Sequence, residues 1–332
     1  MLTLSDARPE PRVVVLMSTY NGERYVAEQL RSILAQLPLS SRVQIRDDGS
    51  SDNTVAAIQA LGDPRVTVDA GANVGFGASF LTLLSRVDPD TELVLFCDQD
   101  DVWLPEKVER ARAALAPLAA GPALYASAQL LVDAELRVLH ATPRWPQPPS
   151  FAGALTENIV TGCTAALNNA ALRLLQRAGV PAGVHFHDWW LYVVISAFGT
   201  VIHDDEPTLM YRQHGANQIG HGAGWWGRQR QIVRFLLRND WVGILLAQVG
   251  ALQRHYGSAL APAERALVQA YFTACGDDTR PRWRLVFSTR RWRHTGFGEV
   301  ALRVLLAAWL LRLWPPPGLR LRQPAGRRTG FP

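Results

Sequence analysis

Within the first hundred residues, short apolar runs alternate with helix-like patterns, and each run stops at a polar turn. Val13–Met17 (VVVLM) stops at STYNGE, Val43–Ile45 stops at RDDGS, Arg65–Val68 precedes the glycine-rich stretch Gly71–Gly77, and Leu93–Phe96 stops at CDQDD. Short runs of apolar and β-branched residues bounded by turn residues suit buried strands. Between the first two, Tyr25, Val26, Leu30, Ile33, Leu34 and Leu37 fall at helical spacing. Further helices are expected over Ser51–Leu61, capped by Ser51 or Asp52, over Ala78–Ser85 and over Pro105–Leu115. Strand and helix alternating in this way predict an α/β fold, a mainly parallel central sheet with helices on both faces. Ligands of such sheets gather at the carboxyl ends of the strands, so STYNGE, RDDGS and DQDD are expected to converge on one crevice.

The later sequence extends this pattern and then leaves it. A strand is expected at Ala123–Leu131, a proline-rich loop at Pro143–Pro149, a helix opened by HFHDWW within Val184–Ala197, and a short strand at Thr200–His203. Clustered glycines from Gly220 to Gly224 mark a boundary, which divides the chain into residues 1–222 and a helical extension at 223–332. With 332 residues, 48% of them hydrophobic and 19% charged, the chain can bury a full core, which excludes a disordered protein. Its net charge of +5 is unevenly spread: arginines crowd the last third among tryptophans and leucines. That pattern suits an anionic membrane surface or a phosphate-bearing substrate, and no nucleic-acid partner is expected. Cys97, Cys163 and Cys275 are odd in number and widely spaced, so neither a disulfide framework nor a zinc knuckle is implied. The N-terminal stretch lacks a signal-length apolar core, and Val300–Trp314 is too short and too charged to span a bilayer. A cytoplasmic location is therefore expected, with that last segment read as an amphipathic helix at the inner membrane face.

The turn Asp98-Gln99-Asp100-Asp101 carries the sharpest chemical signal. Alternate carboxylates at a strand end can share one divalent cation, and hard oxygen ligands suit Mg²⁺ or Mn²⁺. The plain alternative is a helix-capping turn with Asp101 as cap. Asp47 and Asp48 end another strand, where carboxylates can accept from a nucleobase or ribose. Two acidic strand ends feeding one crevice describe a nucleotide-diphosphate site.

Taken together, MSTYNGERYVAEQLRSILAQ, RDDGSSDNT, NVGFGASF, FCDQDDVWLPEKV, HDWW and YRQHGANQIG resemble family 2 glycosyltransferases of the GT-A fold, in particular the rhamnosyltransferase-like members of bacterial polysaccharide assembly. The resemblance covers roughly Pro11 to Gly220. It implies that Ser18, Thr19 and Tyr20 line a nucleoside pocket with Asp47 and Asp48, and that Asn73 and Gly75 lie near the donor. It further implies that Asp98 approaches ribose and metal, that Asp100 and His214 complete the metal site, and that Arg212 and Gln213 contact phosphate. Asp188 is implied as the general base of an inverting displacement, with Trp189 and Trp190 on the acceptor side; the plain reading of Asp188 is a helix N-cap. Cys163 is given no reactive role. The implied reaction moves a sugar, from dTDP-rhamnose or a UDP-sugar, onto a lipid-linked glycan. A nucleotidyltransferase acting on sugar phosphates and a non-catalytic sugar-nucleotide-binding module are the competing readings. The first would need a basic glycine-rich loop after the first strand, a role that STYNGERY fills poorly.

Overall fold

The computed structural model describes residues 12–213, 240–275, 286–287, 293–311 and 313. The chain divides into two compact units: one comprises residues up to Ala154 with Asn158–Pro181 and Phe186–His214, and the other comprises Leu155–Glu157, Ala182–His185 and the chain from Gly215. The boundary expected at residues 220–224 lies outside the described residues.

The first unit is built on one sheet. Strands β1 (Val13–Thr19), β2 (Arg42–Asp47), β3 (Val66–Ala70) and β4 (Leu93–Cys97) pair in parallel in the order β3-β2-β1-β4. Helices α1 (Val26–Leu34), α2 (Thr54–Gln59) and α3 (Phe76–Arg86) connect them. Val13 to Met17 are all buried, as a parallel strand covered on both faces requires. On one side Val13, Val15 and Met17 share a cluster with Val26, Leu30 and Ile33 of α1, and on the other α3 packs against β1 and β2.

Beyond β4 the sheet becomes mixed. Strand β5 (Val102–Trp103) and helix α4 (Lys107–Leu115) lead to β6 (Ala123–Val132) and β7 (Val138–Ala141). A short helical turn α5 (Phe151–Ala154), β8 (Ala166–Asn168), α6 (Asn169–Gln176), α7 (His187–Phe198) and β9 (Thr200–Arg212) follow. The order continues β4-β8-β6-β9-β5: β8 runs antiparallel to both neighbours, β6 and β9 are parallel, and β5 and β7 are antiparallel additions.

Three local expectations change. The strand expected to stop at His203 runs on to Arg212, and the register slips where Pro207 faces Ala128, so the sheet absorbs the missing amide in an irregularity. Asn53, rather than Ser51 or Asp52, stands at the N-cap of α2; Asp52 accepts from the Thr54 amide one position inside the helix. Asp101 caps nothing: Glu106, at φ 70°, precedes α4, and Asp101 is buried.

In the second unit, helices cover Trp241–Tyr256, Pro262–Cys275 and Gly296–Leu310. The Asp240 side chain caps the first and the Thr295 side chain caps the third. Among the described residues no helix is long and apolar enough to cross a membrane.

Candidate active site

The carboxyl ends of β1, β2, β3 and β4 carry the polar turns singled out in the sequence, and their side chains bond chiefly to one another. Thr19 is buried and its hydroxyl donates to Asp47 at 2.9 Å; Asp47 also accepts from the Ser50 hydroxyl at 2.6 Å and amide at 2.8 Å. The Asp48 carboxylate pairs with the buried Arg46 guanidinium and accepts from the amides of Val74 and Gly75 at 2.9 and 2.8 Å. Arg46 also donates to the Ala72 carbonyl at 2.8 Å, and a Cβ on Gly71 would come within 2.9 Å of its guanidinium. Both aspartates expected to accept from a base therefore have internal partners here, and through Asp48 they shape the loop at Asn73–Gly75. Asn73 stays exposed, and Gly75 takes the left-handed φ of 83°. The Ser18 hydroxyl donates to Ser79 at 2.7 Å, and Tyr20 is exposed beside them.

After β4 the chain enters the acidic turn. Asp98, Asp101 and Cys163 present possible ligand atoms that all lie within 4.8 Å of one another. Asp101 is 1% exposed, and its Oδ2 has no hydrogen-bond partner. Burial pushes the Asp98 carboxyl up to about 7, with the charges of Asp100 and Asp188 adding to it. Burial also raises Asp101 well above the usual carboxylate range, together with Asp100 and Asp98. Beneath them Lys107 is fully enclosed, donates to Thr208 at 3.1 Å and lies over the Trp103 ring. Burial lowers its ammonium to about 8 against the pull of Cys163, Asp101 and Cys97. Burial also raises the Cys163 thiol well above its ordinary value, with the charges of Asp101 and Asp98 adding to it, so it stays protonated. Sequence reading missed Asp101 and Cys163 as members of this cluster. The third acid of CDQDD was a signal, whereas nothing in the sequence places Cys163 beside it.

Asp188 reaches the same cluster from a different part of the chain. It occupies the first turn of α7 while Phe186 stands at the N-cap, so the plain reading of Asp188 as the cap does not hold. It accepts from the Gly162 amide at 3.2 Å and the Trp189 amide at 2.6 Å. Burial lifts its carboxyl to about 6, and these hydrogen bonds with one from Asn158 restrain the rise. Its neighbour His187 stacks on Phe80 with ring centres 4.1 Å apart, and both ring nitrogens are buried without partners. Burial lowers that imidazole to about 3, so it is neutral.

Two expectations fail on geometry. Trp189 and Trp190 are 4% and 0% exposed, and the Trp189 indole donates to the Ala154 carbonyl at 2.6 Å; both are core, with no face free to stack on a sugar. The buried Arg212 guanidinium is committed within the protein. It donates to the carbonyls of Asp100 at 2.8 Å and Ala134 at 2.5 Å and to Glu28 at 2.5 Å, and it lies over the Tyr25 ring. Arg212 thus brackets the acidic turn, and its amide donates to Asp101 at 3.2 Å. His214 lies outside the described residues.

Residues 14–169, which contain every one of these turns and the acidic cluster, match the family model described as glycosyl transferase family 2. That stretch, just under half of the chain, resembles family 2 glycosyltransferases. The chain is 28% identical over 238 residues to "dTDP-rhamnosyl transferase RfbG" of Shigella flexneri, a match covering 68% of this chain and 80% of the relative. A shorter match, 27% identical over 97 residues, covers 29% of this chain and 38% of "UDP-Glc:alpha-D-GlcNAc-diphosphoundecaprenol beta-1,3-glucosyltransferase WfgD" of Escherichia coli. Among solved structures, S. aureus TarS 1-349 in complex with UDP-GlcNAc has a TM-score of 0.58 at 15% identity, covering 92% of this chain and 82% of that one. The fold is accordingly that of GT-A glycosyltransferases.

Proposed function

We propose that this glycosyltransferase moves L-rhamnose from dTDP-rhamnose onto a lipid-linked glycan of a bacterial surface polysaccharide, inverting the anomeric centre with the help of a divalent metal. The observation that carries the reading is the acidic turn itself, where Asp98 and the buried Asp101 bring carboxylate oxygens within 4.8 Å of one another; burial raises the Asp98 carboxyl, and Asp100 and then Asp188, ninety residues away in sequence, add to it. Acids from two distant stretches thus meet beside loops suited to a nucleotide. The rhamnosyl donor is favoured by the Shigella relative, and a carrier-linked acceptor by the E. coli relative's name.

The residues present fit a divalent cation. Asp101 Oδ2 is an orphaned buried oxygen and Asp98 lies beside it, a hard donor set matched to Mg²⁺ or Mn²⁺. Asp98 and Asp101, with Asp100 from the same turn, would hold the ion, a set that differs from the expected Asp98, Asp100 and His214. A bound cation supplies Lewis-acid stabilisation to the departing diphosphate. Asp188, ionised at neutral pH yet held at about 6, takes the proton of the acceptor hydroxyl as it attacks. The shift at Asp188 comes from burial; its neighbour in sequence, the neutral His187, is itself enclosed among Phe80 and Phe96.

A peripheral membrane contact completes the reading. On the helix Gly296–Leu310 and the residue after it, Phe297, Val300, Val304 and Leu311 form a row 57–68% exposed. Residues 279–332 hold twelve arginines against one acid, Glu299, a charge suited to anionic lipid. Co-sedimentation with phosphatidylglycerol vesicles, weaker with phosphatidylcholine, is expected.

The transfer itself is tested with the purified full chain, a GlcNAc-diphospho-polyprenol acceptor, Mn²⁺ or EDTA, and either dTDP-rhamnose or UDP-glucose. The expected result is metal-dependent release of dTDP with a rhamnosylated product. Release from UDP-glucose alone would overturn the donor assignment, and release from neither would overturn the transferase reading.

A further inference from the structure

Gln99, the middle residue of the acidic turn, has a bonding pattern that a spacer would not need. Its side-chain Oε1 accepts from the Tyr20 amide at 2.8 Å, and its Nε2 donates to the Tyr20 carbonyl at 3.0 Å. The amide thus pairs with both the N–H and the C=O of one residue of the first loop, on the two peptide groups that flank Tyr20, as a neighbouring strand would. Gly22 lies directly against it: a Cβ there would fall 2.3 Å from Oε1 and 2.5 Å from Cδ of Gln99. Gly22 has no left-handed φ, so its backbone does not call for glycine; the space taken by the Gln99 amide does. The rest of that loop is equally fixed. Gly22 donates to the Thr54 hydroxyl at 2.8 Å, Asn21 to the Ser50 hydroxyl at 2.9 Å, and the Ser51 amide to Asn21 at 2.8 Å.

We infer that Gln99 is a positioning residue that couples cation binding at the acidic turn to nucleoside binding at Ser18–Tyr20. The inference rests on the nucleotide-and-metal reading given above and adds a route between the two subsites. Asp98 and Asp100 flank Gln99 in sequence, so an ion that orders their turn also fixes the Gln99 amide. That amide in turn fixes the backbone on both sides of Tyr20 through two hydrogen bonds. Reciprocity then requires that a bound nucleoside tighten the cation by the same factor. A phosphate touching the ion would couple the subsites directly, so the informative ligand carries no phosphate.

The test uses the whole chain as wild type, Gln99→Ala, Gly22→Ala and the double variant, titrated calorimetrically with thymidine and uridine in Mn²⁺ and in EDTA. Hydrogen exchange of residues 18–24 is followed in parallel with Mn²⁺ alone. The wild type is expected to bind one nucleoside at least about fivefold more tightly with Mn²⁺ and to show slowed exchange across 18–24. Gln99→Ala is expected to abolish both responses while still binding dTDP with Mn²⁺. Gly22→Ala should reproduce that loss alone and add nothing in the Gln99→Ala background, the non-additivity of two groups that share one contact. A wild-type nucleoside affinity indifferent to Mn²⁺, or a Gln99→Ala protein that keeps the exchange response, would overturn the coupling. Absence of dTDP and UDP binding by the wild type would overturn the nucleotide site itself, a distinct result.

Discussion

Replacing Asp188 by asparagine should make the protein more stable and nearly inactive. The carboxyl rises from 3.8 to about 6 in the folded chain, chiefly by burial. At about 1.4 kcal/mol per pH unit this disfavours the ionised folded form by up to about 3 kcal/mol. The folded state binds this proton more tightly than the unfolded chain does. The cost is therefore absent below pH 3.8, grows between 3.8 and about 6, and is constant above. Asparagine keeps an oxygen to accept from Gly162 or Trp189 while carrying no charge. Urea unfolding at about pH 7.5 should place Asp188→Asn up to about 3 kcal/mol above wild type, and the gap should close near pH 4. Donor turnover should fall by about 10²- to 10⁴-fold, the usual worth of a general base, and the wild-type rate should rise with pH through an inflection near 6. An Asp188→Asn protein that turns over at the wild-type rate, or that is destabilised at pH 7.5, would refute both the burial argument and the assignment.

Four further variants test the packing. His187 is neutral, lowered to about 3, against an ordinary 6.5. Its contribution is intact above 6.5 and lost as pH falls toward 3, so His187→Phe should flatten the acid limb of stability measured by circular dichroism between pH 6.5 and 4. Arg212→Met removes charged hydrogen bonds to Asp100, Ala134 and Glu28. It should cost on the order of 3 kcal/mol in denaturant unfolding and should weaken Mn²⁺ binding, whereas a phosphate-contacting Arg212 would lose nucleotide affinity without losing stability. Trp190→Ala should cost about 3–5 kcal/mol, and Trp189→Phe should leave acceptor KM unchanged, since neither ring faces solvent; a large KM increase for Trp189→Phe would restore the acceptor-side role.

The first half of the fold is legible because its two central parallel strands, β1 and β4, are short runs of largely apolar residues ended by turn residues, at Val13–Met17 and Leu93–Phe96. The second half resists reading. Strand β9 crosses Pro207 through a register slip, and β8 is three residues long, so neither leaves a periodic trace. At the site, the acidic turns and Asp188 stand out as charge placed where strands or helices begin and end. Partner choice is different in kind. Whether Asp48 meets a nucleobase or Arg46, and whether Arg212 meets a phosphate or the carbonyl of Asp100, depends on which side chains the sheet brings within 3 Å. Spacing along the chain carries no such information. The tryptophans of HDWW show the same limit: both fill the core beside α5, whereas an aromatic pair after an acid suits a sugar platform, a core filling or one of each equally well on sequence alone.

The central claim is a metal-assisted nucleotide site at the carboxyl ends of these strands. Calorimetric titration of the whole 332-residue chain with dTDP and with UDP, each in Mn²⁺ and in EDTA, with Asp98→Asn and Asp101→Asn alongside, tests it most directly. The account predicts that dTDP binds in Mn²⁺, that EDTA abolishes the binding, and that both variants lose the metal-dependent part. Equal affinity with and without metal, or full metal dependence in both variants, would contradict it.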